Sequence, residues 1–207
     1  MHKFNPADHK KLTSELRYRL MPPGIIADEV RRIADESVKK NKPVNIADVG
    51  SGNGFFTIPI LKRFHDKDIA LFAVDISKDM LDLLKESVRK EDPEGVFTSK
   101  LKLIKCKESS LSLTDESMNI IFMSNVFHEI TDKHLYLNEI KRVLKKGGYF
   151  ILVDWKKEDD KPKMGPPSEE RVSTDEAVKF LISAGFDDIK ILPFYASVFS
   201  ITCRKKP

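Results

Sequence analysis

Two aspartates and three glycines in the first half of the chain have a spacing that suits ligand binding. Asp48 ends a short apolar run, and Gly50, Gly52 and Gly54 follow it at alternate positions. Glycines can adopt positive φ, and they place no Cβ between the main chain and a ligand that approaches the N–H groups of the next helix. Asp75 ends the following apolar run, 21 residues after Gly54, where a carboxylate can accept hydrogen bonds from both hydroxyls of a ribose. The spacing therefore indicates a site for a nucleotide-like molecule.

The glycine spacing distinguishes between two kinds of nucleotide-like ligand. Dinucleotide-binding sequences read G-x-G-x-x-G, and their third glycine allows the helix to pack closely beside a pyrophosphate. Here the third glycine comes one residue earlier, at Gly54, and Phe55 takes the next position. The carboxylate of Asp48 would repel a pyrophosphate, but it could orient a cationic amino-acid group. A dinucleotide site and a glycine turn without a ligand are the less favoured alternatives.

A second group of reactive side chains follows the apolar run 119–124. Asn125 comes directly after this run, and His128 lies three residues further on. An imidazole titrates near neutrality, so His128 could remove a proton from an oxygen, a nitrogen or an activated carbon. A structural histidine and, for Asn125, an ordinary turn residue remain open as alternative interpretations.

Apolar strands that alternate with amphipathic helices must position these side chains. Such alternation is typical of a parallel sheet that is covered on both faces, with ligands bound beyond the carboxyl ends of its strands. We predict seven strands, at about 44–49, 69–75, 101–105, 119–124, 148–154, 187–192 and 197–203. We predict helices after residue 43 at about 54–64, 78–90, 132–145 and 174–184, the third of which stops at Gly147 and Gly148.

Other segments have less regular patterns. Two helices, at about 8–20 and 25–39, are predicted before the sheet. Pro59 is expected to kink its helix, because it lies beyond the first predicted turn and lacks a backbone N–H. Residues 156–173 form a long irregular stretch, for which we expect a lid.

Composition limits the classes of function. The 207 residues, of which 41% are apolar and 33% charged, are typical of one soluble globular domain. The sequence contains neither the roughly 20-residue apolar run that spans a bilayer nor the apolar middle of a signal peptide, so we expect a cytoplasmic protein. Cys106 and Cys203 predict neither a disulfide framework nor a metal site. The net charge of +4 is spread over mixed-sign stretches, so we expect no nucleic-acid patch.

A resemblance to a known family starts at the glycine segment. The pattern D-x-G-x-G-x-G at 48–54 resembles motif I of the class I S-adenosylmethionine (SAM) methyltransferases, and residues 75–77 resemble the end of their second strand. Residues 144–148, LKKGG, resemble the turn that leads into the fifth strand of that family, and residues 119–130 resemble its fourth strand and the loop that faces the substrate. The chain is similar to the ubiquinone/menaquinone-methyltransferase-like branch, which has a methyltransferase type 11 domain.

The resemblance implies a fold and a domain plan. The implied fold is the three-layer α/β/α Rossmann-like class I methyltransferase fold, with a seven-stranded, mostly parallel sheet, a C-terminal antiparallel hairpin and N-terminal helices. A single SAM-dependent methyltransferase domain would then fill residues 1–207, as a helical arm at 1–42 and a catalytic core at 43–207. We expect this domain to be a monomer or a homodimer.

The resemblance also implies SAM as the cofactor, with S-adenosylhomocysteine as its product. The implied cofactor-binding residues are Asp48, Gly50, Ser51, Gly52, Gly54, Asp75, Ile76, Met80, Glu108, Ser109 and Asn125, and His128 is the candidate catalytic base. Ile76 and Met80 would flank the adenine, with helix-face packing as an equal alternative. Glu108 with Ser109 is the nearest match to the adenine-binding acid of the family.

The expected methyl acceptor is a small molecule, such as a quinone precursor or another aromatic or lipid-derived metabolite. An RNA or protein acceptor is the alternative within the enzymes, and it would predict a continuous basic track. Asn119 stands where the family usually has an aspartate, which leaves a SAM-binding module without turnover as a further alternative. Trp155, the segment 164–167 and either Tyr18 or Phe4 could exclude water from the site. Plain packing for Trp155 and a rigid turn at 166–167 are at least as good an explanation, and for Tyr18 an ordinary helix residue is the better one.

Overall fold

Six α-helices and seven strands are present in the described residues of this computed structural model, which are 14–37, 43–157 and 164–207. The helices are α1 (Glu15–Leu20), α2 (Pro23–Ser37), α3 (Thr57–Arg63), α4 (Lys78–Glu91), α5 (Lys133–Val143) and α6 (Thr174–Ser183). The strands are β1 (Val44–Val49), β2 (Ile69–Asp75), β3 (Leu101–Lys105), β4 (Met118–Ser124), β5 (Leu144–Trp155), β6 (Phe186–Leu192) and β7 (Val198–Lys205). Across these same ranges, none of the helices has the length and apolar character that crossing a membrane requires.

All seven strands form one sheet in the order β3-β2-β1-β4-β5-β7-β6. Strands β1 to β5 pair in parallel, whereas β7 pairs antiparallel with both β5 and β6. The predicted fold class is therefore confirmed, including the antiparallel hairpin at the C-terminal end. Because the first five strands are parallel, their carboxyl ends lie along one edge of the sheet, where ligands bind in such folds.

Helices cover both faces of the sheet, which gives the three predicted layers. Ile33, Ile60 and Leu84, from α2, α3 and α4, pack in one hydrophobic cluster with alternate residues of the strands. Leu137 and Leu181, from α5 and α6, belong to a second cluster on the opposite face. Full burial of each such side chain contributes about 1.5–3 kcal/mol before the entropy cost of ordering it.

The described part of the N-terminal arm packs into the first of these clusters. Met21, Ile26 and Val30 are fully buried there together with residues of β1 and β4. The hydroxyl of Tyr195 donates a hydrogen bond of 3.0 Å to the carbonyl oxygen of Pro22, which joins the arm to the segment before β7. The arm is thus held over the sheet by apolar packing and a polar contact.

The predicted kink at Pro59 is wrong because α3 begins later than the sequence pattern indicates. The helix begins at Thr57 rather than at residue 54, so Pro59 is its third residue. Backbone N–H groups in the first turn of a helix have no intrahelical acceptor, and a proline there costs no hydrogen bond. The N–H groups of the flanking residues Ile58 and Ile60 donate to carbonyls at 3.1 Å each.

Gly147 and Gly148 lie inside a strand. The prediction that they end a helix is therefore wrong. Helix α5 ends at Val143, and β5 begins at Leu144. The register between β4 and β5 shifts at this point, which identifies a bulge. Gly147 has φ +71°, and a Cβ on Gly148 would lie 2.8 Å from the carbonyl oxygen of Lys145. Glycine is needed here because the bulge folds the chain tightly on itself.

Candidate active site

The glycine turn after β1 has the backbone geometry that its spacing predicts. Gly50, Gly52 and Gly54 have φ values of +74°, +52° and +96°. L-amino acids rarely adopt positive φ, because their Cβ would come too close to the main chain. The turn brings the N–H of Gly52 to the carboxyl end of β2, where it donates to Asp75 Oδ2 at 2.8 Å.

Two of these glycines are also needed because other side chains occupy the space of a Cβ. A Cβ on Gly50 would lie 2.2 Å from Cγ2 of Val126, which follows β4. A Cβ on Gly54 would lie 2.3 Å from Cδ1 of Leu84 in α4. The sequence pattern attributed these glycines to close approach of a ligand, whereas the structure adds close packing of two neighbouring elements.

Asp75 lies at the carboxyl end of β2 and binds the main chain on both sides of the crevice between β1 and β2. Its Oδ2 accepts from Gly52, and its Oδ1 accepts from the N–H of Ser77 at 2.8 Å. Burial raises the pKa of this carboxyl above its usual value, although the backbone N–H groups of Ser77, Gly52 and Ile76 oppose that effect. A carboxylate has about four acceptor positions, so both oxygens can still accept from a ribose hydroxyl.

Asp48 is buried beneath the glycine turn at the end of β1. Its Oδ2 accepts a hydrogen bond of 2.6 Å from the hydroxyl of Thr57, the first residue of α3. Burial raises the pKa of Asp48 to about 7; the Thr57 hydroxyl lowers it, Asp75 raises it and the charge of Arg17 lowers it. The sequence assigned Asp48 to the amino group of a ligand, and the structure adds a contact that fastens the turn to the helix.

Three buried oxygens at the ends of β1 and β4 have no hydrogen-bond partner among the described residues. They are Ser51 Oγ, Ser124 Oγ and Asn125 Oδ1. Asn125 also has a positive φ of 55°, and its amide nitrogen lies 3.7 Å from the sulfur of Met21 in the arm. Buried polar atoms are paired in the great majority of cases, so unpaired oxygens at the ends of these two neighbouring strands fit a ligand that brings donors. The hydroxyl and ammonium groups of SAM are donors of that kind.

The side of the crevice next to β3 contains the residues assigned to the adenine. Ile76 is 50% exposed, which leaves an apolar surface beside Asp75 for a ring to cover. Met80 is buried at the first turn of α4, where its N–H donates to the Ser77 hydroxyl. Glu108 and Ser109 are exposed at the tip of a turn after β3, closed by paired hydrogen bonds between Lys107 and Ser110. These residues thus lie on the side of the crevice where the adenine is expected, and their roles in adenine binding stay predictions.

His128 and Asp154 form a buried pair at the carboxyl ends of β4 and β5. The Nδ1 of His128 lies 2.7 Å from Asp154 Oδ1, and the backbone N–H of His128 donates to Oδ2 of the same carboxylate at 2.9 Å. The N–H of Trp155 also donates to Oδ1, at 2.7 Å. Because the carboxylate only accepts, Nδ1 carries the proton, and Nε2 of a neutral His128 is left as the proton acceptor.

The surroundings of His128 make its imidazole more basic. Burial disfavours the charged ring, but the charge and hydrogen bond of Asp154, with weaker effects of Glu129 and Glu170, raise its pKa above the ordinary 6.5. The Oε1 of Glu129 lies 3.7 Å from Nε2, which is longer than a hydrogen bond. An imidazolium at this position would therefore be stabilised from more than one direction.

Sequence reasoning missed Asp154 as the partner of His128. The sequence analysis does not single out Asp154, which lies 26 positions after His128. A signal existed, because Asp154 is an acid near the end of an apolar strand, as Asp48 and Asp75 are. Its partner could not be read from that position alone.

Trp155 follows Asp154 in β5, and its buried indole packs on the opposite face of the sheet, in the cluster that contains Ile151 and Val153. A Cβ on Gly165 would lie 2.6 Å from the indole, so the segment after residue 163 packs directly on the ring. The guanidinium carbon of Arg171 lies 5.5 Å from the centroid of this ring. The same guanidinium donates to the carbonyl oxygens of Lys156, Met164 and Pro166. The described ends of the predicted lid are thus joined by Arg171, and residues 158–163 lie outside the described part of the chain.

The arm borders the crevice from above the glycine turn. The ring of Tyr18 lies 4.8 Å from the ring of Phe55, and Tyr18 is 46% exposed. The guanidinium of Arg17 lies 4.3 Å from the same Phe55 ring and is buried, a feature that the sequence analysis did not single out. Phe4, the other residue proposed to cover the site, lies outside the described residues.

Comparisons with known proteins identify the family to which this fold belongs. The family model Methyltransf_11, a methyltransferase domain, matches residues 47–152. That range runs from β1 into β5 and includes the glycine turn, Asp75 and His128. The solved structure of a SAM dependent methyltransferase from Aquifex aeolicus is 28% identical with a TM-score of 0.80, and the match covers 98% of this chain and 99% of that one.

Curated relatives extend the similarity to named enzymes. The chain is 29% identical over 124 residues to the demethylmenaquinone methyltransferase of Bacteroides fragilis. That match covers 60% of this chain and 48% of the relative. It is 24% identical over 170 residues to the ubiquinone/menaquinone biosynthesis C-methyltransferase UbiE of Geotalea daltonii. That match covers 82% of this chain and 63% of the relative. The chain thus spans about half the length of the first of these relatives.

Proposed function

The chain belongs to the methyltransferase-domain family, in the branch similar to the ubiquinone/menaquinone methyltransferases, and we propose that it transfers a methyl group from SAM to a small-molecule acceptor. The cofactor would bind at the carboxyl ends of β1 and β2, and the acceptor would bind beyond β4 and β5. The observation that carries the proposal is the His128–Asp154 pair beside the unpaired oxygens of Ser124 and Asn125. A proton acceptor and a cofactor crevice thus meet at one edge of the sheet.

The residues that would hold the cofactor lie on three strand ends. Asp75 would accept from the ribose hydroxyls, and the exposed face of Ile76 would cover the adenine. Ser51 and Asn125 would accept from donors of the ligand, because their buried oxygens have no partner among the described residues. When bound, SAM supplies a methyl group on a positively charged sulfur, which an electron-rich acceptor atom can attack.

His128 would prepare the acceptor by removing a proton. Its Nδ1 proton is held by Asp154, so Nε2 can take a proton from a hydroxyl, an amine or an activated carbon of the acceptor. Asp154 would keep the ring in one tautomer and stabilise the charge that forms on it. The electron pair left on the acceptor atom would form the new bond to the methyl carbon, while the pair of the broken methyl–sulfur bond would stay on the sulfur of S-adenosylhomocysteine. The quinone-type relatives support an aromatic acceptor with an ionisable hydroxyl.

Two measurements in sequence test this proposal. Calorimetry with SAM and with S-adenosylhomocysteine would first establish whether the protein binds either adenosyl compound. Methyl-labelled SAM would then be incubated with separate pools of small aromatic metabolites, RNA and protein, with the wild-type chain and with His128→Gln. We expect binding of both compounds, label in the metabolite pool, and a large loss of label with the variant.

Each other outcome contradicts a stated part of the proposal. The absence of affinity for both adenosyl compounds would overturn the cofactor, and with it the reaction. Label in RNA or protein alone would overturn the class of acceptor. Binding without transfer to any pool would indicate a SAM-binding module in place of an enzyme.

A further inference from the structure

The N-terminal arm brings a buried cation to the glycine turn. Helix α1 has six residues, and the hydroxyl of Ser14 caps it by accepting from the N–H of Arg17. Arg17 is 7% exposed, whereas Arg19 on the same helix is exposed. The guanidinium carbon of Arg17 lies 4.3 Å from the ring centroid of Phe55, the residue that directly follows Gly54. A positive charge therefore lies beside the turn that forms the floor of the crevice.

The electrostatic surroundings of Arg17 suit an anionic ligand. Burial lowers the pKa of Arg17 to about 10, and the charges of Tyr18 and Asp48 raise it in opposition. The guanidinium therefore stays charged at neutral pH but has lost part of its hydration. Charge–charge attraction is stronger in such surroundings than in bulk water, so a carboxylate that arrives there would bind favourably.

The other buried arginine has a different role. Across residues 14–37, 43–157 and 164–207, the buried arginines are Arg17 and Arg171. Arg171 donates to the carbonyl oxygens of three residues in and before the 164–171 segment. Its guanidinium thus fastens that segment beside Trp155, which leaves Arg17 as the buried cation that borders the glycine turn.

The sheet order tells which end of SAM would come near Arg17. Strand β2, whose Asp75 would hold the ribose, lies between β3 on the adenine side and β1 on the other. The amino-acid end of SAM would therefore extend toward β1 and β4. The arm contacts the segments that follow these two strands, through Arg17 on Phe55 after the glycine turn and through the Met21 sulfur on the amide of Asn125 after β4.

We propose that Arg17 binds the carboxylate of the methionine part of SAM, while the unpaired Oδ1 of Asn125 accepts from its ammonium group. This inference rests on the proposed function, because it requires SAM in the crevice. The arm would then contribute directly to cofactor binding and would recognise the one group of SAM that carries a negative charge. A charge-assisted hydrogen bond of this kind strengthens binding by about 10- to 100-fold.

The test compares two ligands that differ only in the carboxylate. Calorimetry would measure the affinity of the wild type, Arg17→Gln, Arg17→Lys and Arg19→Gln for each of two compounds. These are SAM and decarboxylated SAM, which keeps the sulfonium and the amine. We expect Arg17→Gln to weaken SAM binding by about 10- to 100-fold and to change the binding of decarboxylated SAM by less than about twofold. Arg17→Lys should restore part of the affinity for SAM, and Arg19→Gln should change neither ligand.

The outcomes separate this inference from the function on which it rests. If Arg17→Gln weakens both ligands equally, Arg17 acts by packing on Phe55, and the carboxylate contact is wrong. If it weakens neither, Arg17 has no part in binding. In both cases SAM binding by the wild type would leave the proposed function standing. If the wild type binds neither compound, the proposed function and this inference fall together.

Discussion

The two halves of the crevice are built in different ways. On the cofactor side, the ends of β1 and β2 are joined by main-chain geometry, namely three glycines with positive φ and the N–H of Gly52 on Asp75. On the acceptor side, a pair of side chains is added to such a main-chain contact, because Asp154 at the end of β5 accepts from the imidazole of His128 as well as from its backbone N–H. We expect the first half to bind a part that SAM presents in every reaction, and the second half to meet an acceptor that differs between relatives.

This difference implies that the two halves can be disrupted separately. A change in the glycine turn should act on cofactor binding and stability, because backbone conformation and packing are altered together. A change in the His128–Asp154 pair should act on turnover, since the pair lies beyond the residues assigned to the cofactor.

Replacing the proposed base should affect turnover alone. His128→Gln is expected to lower kcat by about 100- to 10,000-fold, because the acceptor would lose the group that removes its proton. The dissociation constant for SAM should stay within about twofold, since His128 is not assigned to the cofactor. Steady-state rates with the acceptor found by the labelling screen, together with calorimetry, measure both quantities.

His134→Gln is the matched control for this prediction, because His134 is an exposed histidine in α5. It should behave as the wild type does. Full turnover by His128→Gln would show that His128 has a structural role only.

A methyl group on the glycine turn should damage the cofactor side. Gly50→Ala would force a Cβ to within 2.2 Å of Val126 Cγ2 at a φ of +74°. The clash and the backbone strain together should cost about 3 kcal/mol, seen as a lower free energy of unfolding or as weaker SAM binding. Urea denaturation with and without SAM measures how the cost is divided.

Gly24→Ala is the control for this change. Gly24 lies in α2 with open space around its Cβ position. Alanine there should stabilise the protein by up to about 1 kcal/mol, because glycine is a poor helix residue. A Gly50→Ala protein as stable and as well bound as the wild type would contradict the structure of the turn.

The charge of Asp75 is expected to matter for cofactor affinity. Asp75→Asn should weaken SAM binding by about 1–3 kcal/mol, because the ribose loses a charge-assisted acceptor and Gly52 loses its carboxylate partner. Calorimetry measures this change, with Asp79→Asn, an exposed aspartate in the first turn of α4, as the control. Equal affinities of Asp75→Asn and the wild type would remove Asp75 from the ribose site.

The smallest predicted effect is a shift in pH dependence on the acceptor side. His128 must be neutral to accept a proton, so kcat/KM should rise with pH through its raised pKa. Glu129 helps to raise that pKa, and Glu129→Gln should therefore move the acidic limb of the profile to lower pH. Glu169→Gln, at an exposed neighbour of Glu170, is the control. An unmoved acidic limb would separate His128 from the titration.

The cofactor side was predictable from the sequence because its structure is local or nearly so. Glycine conformation follows from residue type, and an acid at a strand end reaches the next strand end whenever the strands are parallel neighbours. Gly50, Gly54 and Asp75 were identified on these grounds, and the strand order places them together. The packing of Val126 against Gly50 was not predictable, because it depends on where the chain goes after β4.

The acceptor side and the arm needed the structure. Asp154 meets His128 across 26 residues, and Arg17 meets Phe55 across 38, so neither contact leaves a local pattern. Pro59 and Gly147 were misjudged for a different reason, which is that residue preferences describe a turn, a helix start and a bulge almost equally well. Only the pairing of β4 with β5 decides that Gly147 lies in a strand.

The enclosed indole at residue 155 has a practical consequence. Trp155 is the single tryptophan of the chain, it adjoins Asp154, and both Gly165 and Arg171 cover its ring. The ring also packs in the same hydrophobic cluster as Met21 of the arm and Phe55 of the glycine segment, so its fluorescence should respond when the arm or the segment after residue 163 moves. The protein thus carries its own optical reporter for the face of the sheet that the arm covers.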